Sequence, residues 1–316
     1  MSLAVRALHR IDPSHLVVLA LSLALALCGV AVNDAFATTG NLSNLLEQSV
    51  AVGLVSLGQT VVVLAGGIDL AVGALVSALG VLFATQAERH PDAAGWLLAG
   101  TLAAGAGIGA LNAALILLLR LHALVVTIGM AALLNGLTLM VTRQPAGSVP
   151  AWVQEIAYGQ WAGWSYAGLG MLAAFAALGV WLRHAPGGLR LLAAGGQPEA
   201  ARVTGLGAGR ATVIAFTLSG LCAGCAAVVL VARTGTGDPL VGEPLTLASI
   251  TPVVIGGTLL GGGKGGVLGT LLGVFMLVLL GNVLNYMNVS TFLQWTIQGL
   301  IIIAAVLFQR RRGHGA

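Results

Sequence analysis

Apolar stretches close to the length of a membrane crossing recur along this chain, separated by short clusters of polar and turn-forming residues. They fall at 16–36, 49–65, 71–87, 96–119, 123–142, 167–183, 211–233, 248–261, 267–284 and 292–309. About 20 consecutive apolar residues span a bilayer as a helix. The expectation is an all-α polytopic membrane protein of about ten transmembrane helices, forming one domain over residues 1–316. Composition agrees, since only 8% of the 316 residues are charged and 58% are hydrophobic, with a mean hydropathy of +0.98. A soluble domain carries about a quarter charged residues. The first run, behind Arg6 and Arg10 and ahead of Ala35-Phe36-Ala37, mimics a signal peptide, but its length favours a retained membrane helix.

The orientation follows from the Lys and Arg residues, which concentrate in cytoplasmic loops. With the N-terminus inside, eleven of the fourteen basic residues are expected on the cytoplasmic side and only Arg89, Arg143 and Arg233 outside. Residues 1–15 and 310–316 are then a cytoplasmic N-terminus and tail. The net charge of +4 orients the chain in its membrane, and nucleic-acid binding has almost no support. Two loops are long. The periplasmic one, 143–166, carries Trp152, Tyr158, Trp161, Trp164 and Tyr166 and reads as an interfacial helix or as a ligand-gripping loop. The cytoplasmic one, 184–210, contains Gly195, Gly196 and Pro198-Glu199, the latter a plausible first turn of a short helix.

Two glycine-rich breaks interrupt the apolar pattern. Gly66-Gly67-Ile68-Asp69-Leu70 places a carboxylate at the edge of a membrane segment, where an ionisable group usually marks a functional position. The alternative is that Asp69 caps the helix beginning near Leu70, and the two roles are compatible. Gly256-Gly257 opens a stretch that runs to Gly266, and Val61–Gly73 and Val253–Gly263 echo one another. The second stretch is not a phosphate-binding loop, because Lys264 precedes Gly265 instead of Ser or Thr and Thr258 stands where the first glycine belongs. Gly105, Gly107 and Gly109, and the Cys222/Cys225 pair, read as small-residue helix packing. No His, Cys, Asp or Glu cluster has metal-ligand spacing and no nucleophile has a base beside it, so the chain is expected to be no enzyme and to need no cofactor. Neutral polar groups within the helices, Gln59, Asn112, Thr127 and Asn135, are equally suited to meet a solute or a neighbouring helix.

Three motifs carry a family resemblance. Gly66–Gly73, GGIDLAVG, resembles the GGIDLSVG signature of ribose/xylose-type ABC sugar permeases, in the superfamily that includes branched-chain amino-acid permeases. Ala193–Leu206, AAGGQPEAARVTGL, resembles that family's cytoplasmic loop, and Ile250–Gly273 with Asn282 gives the third match. Gln197, Thr204 and Thr246 depart from the common residues, which weakens any inference about the particular solute. The resemblance implies a permease subunit in a bacterial inner membrane, paired with a second copy or a paralogue. A periplasmic sugar-binding protein would deliver a monosaccharide, and a cytoplasmic ABC ATPase would dock on Gly195, Gly196, Glu199, Ala201, Arg202 and Gly205. Gly66, Gly67, Asp69, Gly256 and Gly257 become candidates for the translocation path. The alternatives are the same fold carrying an amino acid, nucleoside or signalling furanone, an ion-coupled carrier, and a membrane-embedded enzyme.

Overall fold

The computed structural model describes residues 13–197, 201 and 207–313. Its helices are α1 (Pro13–Val32), α2 (Thr39–Leu64), α3 (Val72–Arg89), α4 (Ala94–Leu119), α5 (Ala123–Val141), α6 (Ala151–Tyr158), α7 (Tyr166–His184), α8 (Pro186–Gly196), α9 (Ala208–Thr234), α10 (Glu243–Ile255), α11 (Val267–Tyr286) and α12 (Thr291–Gly313). A two-stranded hairpin, β1 (Gln160–Trp161) and β2 (Trp164–Ser165), separates α6 from α7. Each expected apolar segment falls on a helix. Among the described residues seven helices are long and apolar enough to cross a membrane: α1, α2, α4, α5, α7, α9 and α11.

α2 is the axis of the bundle. Its apolar window is 83% buried, against 11% for α1 at the periphery. α9, α10 and α11 pack directly on it. The sequence reading starts this helix at residue 49, yet it begins at Thr39, where the Thr38 hydroxyl accepts from the Asn41 N–H at 3.3 Å. The first turns look like a loop because Asn41 and Ser43 are polar, but both are buried. Asn41 and Asn282 of α11 exchange side-chain hydrogen bonds at 3.3 and 3.1 Å, and Thr60 meets Thr270 of α11 at 2.8 Å.

α4 and α9 cross at very short range, because a Cβ on Gly105 would strike the Gly220 carbonyl and one on Gly109 the Phe216 carbonyl. Small residues allow such close helix approach in a membrane, as the sequence reading expects for Gly105 and Gly109. Gly107 faces open space. Cys222 and Cys225 lie on α9 as free thiols, Cys222 against Gly58 of α2. At the opposite end from α8, Val153 and Ala157 of α6 close over Phe83, Ala87 and Val231, while Trp152 and Tyr158 stay exposed. The Tyr158 hydroxyl donates to the Arg233 carbonyl at 2.7 Å. This short amphipathic helix therefore lids the bundle with one face and leaves its aromatic rings outward.

α8 corrects the reading of the 184–210 loop, which places a helix only after Pro198. Pro186 occupies the first turn of α8, where its missing N–H costs nothing. Four glycines hide the helix from propensity alone, and two of them, Gly188 and Gly195, are buried against other backbone.

Candidate functional site

The two glycine breaks are the same piece of backbone geometry. At the end of α2, Gly66 adopts a φ of +85°, its N–H bonds to the Val63 carbonyl at 2.9 Å, and the Gly67 N–H reaches the Val62 carbonyl at 2.9 Å. At the end of α10, Gly257 has a φ of +88°, with Gly257 to Val254 at 3.0 Å and Thr258 to Val253 at 3.1 Å. Both are Schellman closures, which satisfy terminal carbonyls through one left-handed residue, usually glycine. The sequence echo therefore corresponds to a repeated helix stop. It also shortens the eighth expected segment, which the sequence reading carries to residue 261 and the glycine closure ends at Ile255.

Glycine contacts bind these breaks to the end of α8. The Gly263 N–H donates to the Leu64 carbonyl at 3.0 Å, so the loop after α10 caps α2. A Cβ on Gly195 would collide with that same Leu64 oxygen. One on Gly262 would lie 2.6 Å from the Gly195 oxygen and 3.1 Å from the Gly66 Cα, and one on Gly263 would overlap the Gly196 Cα. Gly66, Gly195, Gly196, Gly262 and Gly263 thus form one backbone-to-backbone junction. It joins the helix break to the C-terminal end of α8. Of the other expected loop residues, Ala201 is buried, while Glu199, Arg202 and Gly205 lie outside the described residues.

Beyond the junction the chain turns into α3 around Asp69, which is 1% exposed. Its Oδ1 accepts from the Ala71 N–H at 3.0 Å, and its Oδ2 accepts from the Ser219 hydroxyl of α9 at 2.8 Å. The carboxylate thus braces the turn ahead of α3, whose N-cap is Ala71, and ties it to a neighbouring helix. With its amide nitrogen turned toward the Asp69 carbonyl, Gln59 donates to that oxygen at 3.1 Å and accepts from the Asp69 N–H at 3.3 Å. Thr127 of α5 donates to the Ile68 carbonyl at 3.4 Å. The irregular 65–71 segment therefore has its backbone satisfied from α2 and α5 and its carboxylate from α9. Non-helical backbone is tolerated at membrane depth only when buried in protein in this way.

Gln59 and Thr127 are thus occupied within the protein. Asn112 on α4 is buried with Oδ1 lacking a partner, and Asn135 on α5 is exposed on the bundle surface. Sequence reasoning misses Ser219 and the role of Gln59. The available signal is a polar residue beside glycine inside an apolar run, which Ser219-Gly220 supplies. Among the described residues no group of three His, Cys, Asp or Glu side chains could hold a metal ion.

A polytopic helical bundle with an interrupted central helix and a buried polar clasp at the interruption has the build of a transport permease. Residues 41–306 match the family described as the branched-chain amino acid transport system permease component, and the chain belongs to that family. It is similar to the ribose import permease protein RbsC of Escherichia coli (strain K12), 33% identical over 301 residues, 88% of each chain. It is also similar to the L-arabinose ABC transporter permease protein AraH of Azospirillum brasilense, 32% identical over 279 residues, 88% of this chain and 82% of the relative. A third relative is the D-allose transport system permease protein AlsC of Escherichia coli (strain K12), 30% identical over 295 residues, 92% of this chain and 89% of the relative. The resemblance read from the three sequence motifs therefore holds over most of the chain. No solved structure gives a significant match.

Proposed function

We propose that this chain is the membrane-spanning permease subunit of a bacterial ABC importer for a monosaccharide. It lies in the inner membrane with both termini cytoplasmic. Counting α3, α10 and α12 as crossings beside the longer apolar helices gives ten spans, and the basic residues then sort to one side. A periplasmic binding protein delivers the sugar, a second copy or paralogue completes the pathway, and a separate ATPase supplies the energy. The observation that carries this reading is the glycine junction, in which Gly195, within the 184–210 stretch expected to meet the ATPase, rests on the Leu64 carbonyl at the break leading to Asp69. A push on the loop reaches the centre of the bundle through backbone contacts with no flexible side chain between them. The likeness to ribose, arabinose and allose permeases supports a sugar as the solute.

Purification in mild detergent with mass spectrometry of co-purifying chains tests the assembly. Labelled sugars and branched-chain amino acids, presented with the recovered binding protein, test the solute. An ATPase and a sugar-binding receptor are the expected finds. A lone protein whose uptake follows an ion gradient overturns the ABC reading, and capture of amino acids overturns the sugar. Exchanging Glu199→Ala together with Arg202→Ala is expected to weaken ATPase association without affecting membrane insertion, and normal assembly with normal uptake removes the docking role.

A further inference from the structure

A cavity of about 540 Å³ opens on the surface of the bundle where α1, α7, α8, α10 and α11 meet. It lies next to the glycine junction, with Leu64, Gly256 and Gly257 in its floor, but serves none of the contacts described there. Its mouth carries His15, Arg183 and His184, and its described lining contains no carboxylate. Arg183 is exposed, and among the described residues no hydrogen bond or ion pair ties its guanidinium. His15 sits over the first turn of α11, where a Cβ on Gly269 would lie 2.8 Å from its Nε2. The N-cap of that helix, Gly266, offers no side-chain bond to the first N–H groups. The Arg183 guanidinium, the His15 imidazole and helix N-terminal N–H groups therefore line one mouth, and each can donate to an anion.

The walls are of the opposite character. Leu172, Phe175, Ala176 and Val180 of α7 face Leu268 and Leu271 of α11 across the cavity, and Val180 is 60% exposed, so this wall reaches the outer surface. From Leu172 to His184 an α-helix covers about 18 Å at about 1.5 Å per residue. Half of a hydrocarbon core of about 30 Å is about 15 Å. The cavity is thus a mouth carrying the Arg183 cation at the level where α1 and α11 begin and α7 ends, continued by an apolar wall about one leaflet deep. A free phosphate would use only the mouth, and a sugar would find few polar partners on the wall.

We propose that this cavity binds an anionic phospholipid, the phosphate held at Arg183 and His15 and an acyl chain lying against α7. The site stands independently of which solute the permease carries. The test uses the full-length protein, stripped of lipid in mild detergent, with native mass spectrometry of bound phosphatidylglycerol against phosphatidylcholine. The wild type is expected to retain phosphatidylglycerol in preference. Arg183→Gln is expected to weaken that binding about fivefold, the loss of one surface cation worth about 1 kcal/mol. Arg120→Gln removes an exposed cation outside the cavity and is expected to leave it unchanged. Val180→Trp, which fills the wall, is expected to reduce lipid binding with the mouth intact. Monodisperse elution and an unchanged thermal midpoint show that each variant is folded. Equal retention of the two lipids, or unaltered phosphatidylglycerol binding in Arg183→Gln, overturns the site. Displacement of the lipid by millimolar inorganic phosphate, with no effect of Val180→Trp, reduces it to a phosphate contact and overturns the lipid.

Discussion

At the scale of single residues the largest stakes sit on Asp69 and Gly195. Asp69→Ala leaves the Ala71 N–H and the Ser219 hydroxyl without their acceptors in a buried place, and each unsatisfied buried group costs about 1–3 kcal/mol. Asp69→Asn keeps an oxygen for Ala71 and offers its amide to a Ser219 hydroxyl that can turn to accept. The expected result is a lower unfolding midpoint in detergent for the alanine variant and a much smaller loss for the asparagine one. Equal losses would show that the hydrogen bonds do not hold the turn. Gly195→Ala forces a Cβ into the Leu64 carbonyl, and overpacking of this kind costs about 1–3 kcal/mol. Gly107→Ala meets nothing and is expected to be neutral or to gain up to about 1 kcal/mol of helix propensity. Similar midpoints for the two alanines would remove the junction. Asp69 and the paired glycines were legible in the sequence because charge and glycine are conspicuous in apolar surroundings. Ser219 was not, and Gln59 was legible only as one of four neutral polar groups, because their partner is a chain segment brought to them only by packing.

At the scale of elements, apolar periodicity located every long helix but misplaced ends wherever a helix buries polar side chains. The first turns of α2 were lost because Asn41 and Ser43 spend their polarity on internal hydrogen bonds instead of on water. α8 was lost because its glycines serve close backbone packing, which no propensity scale anticipates. The Asn41–Asn282 pair tests whether such bonds tie α2 to α11. Replacing each by alanine, singly and together, gives a double-mutant cycle. Interhelical hydrogen bonds in membrane proteins average about 0.6 kcal/mol and reach about 1.7. A coupling within that range is expected for this reciprocal pair. A coupling near zero would mean that Asn41, which also donates to the Phe36 carbonyl at 2.9 Å, serves only the turn before α2.

At the scale of the whole molecule, the proposed topology turns on α10, the shortest of the supposed crossings. Its 13 residues cover about 20 Å as a helix, less than the roughly 30 Å of a hydrocarbon core. The remainder has to be spanned by irregular backbone, which survives at that depth only when enclosed by protein. Part of each flank meets this condition, although Leu240 and Leu259 are exposed. Gly242 packs on the Gly73 carbonyl and its N–H bonds the Ser77 hydroxyl at 2.9 Å, while Gly256, Thr258 and Gly262 beyond the helix are buried. A crossing by α10 with its glycine flanks would make the number of crossings even and return the C-terminus to the side of the N-terminus. Single cysteines in a background with Cys28, Cys222 and Cys225 replaced by alanine check this directly. A membrane-impermeant maleimide is expected to label Ala162→Cys at the hairpin tip in intact cells, and Gly261→Cys and Arg312→Cys only after permeabilisation. If Ala162→Cys and Gly261→Cys label alike in intact cells, α10 does not cross. Lys264 and Arg310 to Arg312 then fall on the outer side and the basic residues no longer sort to one side, whereas residues 184–210, placed by the crossing of α7, keep the cytoplasmic side on which coupling to an ATPase depends.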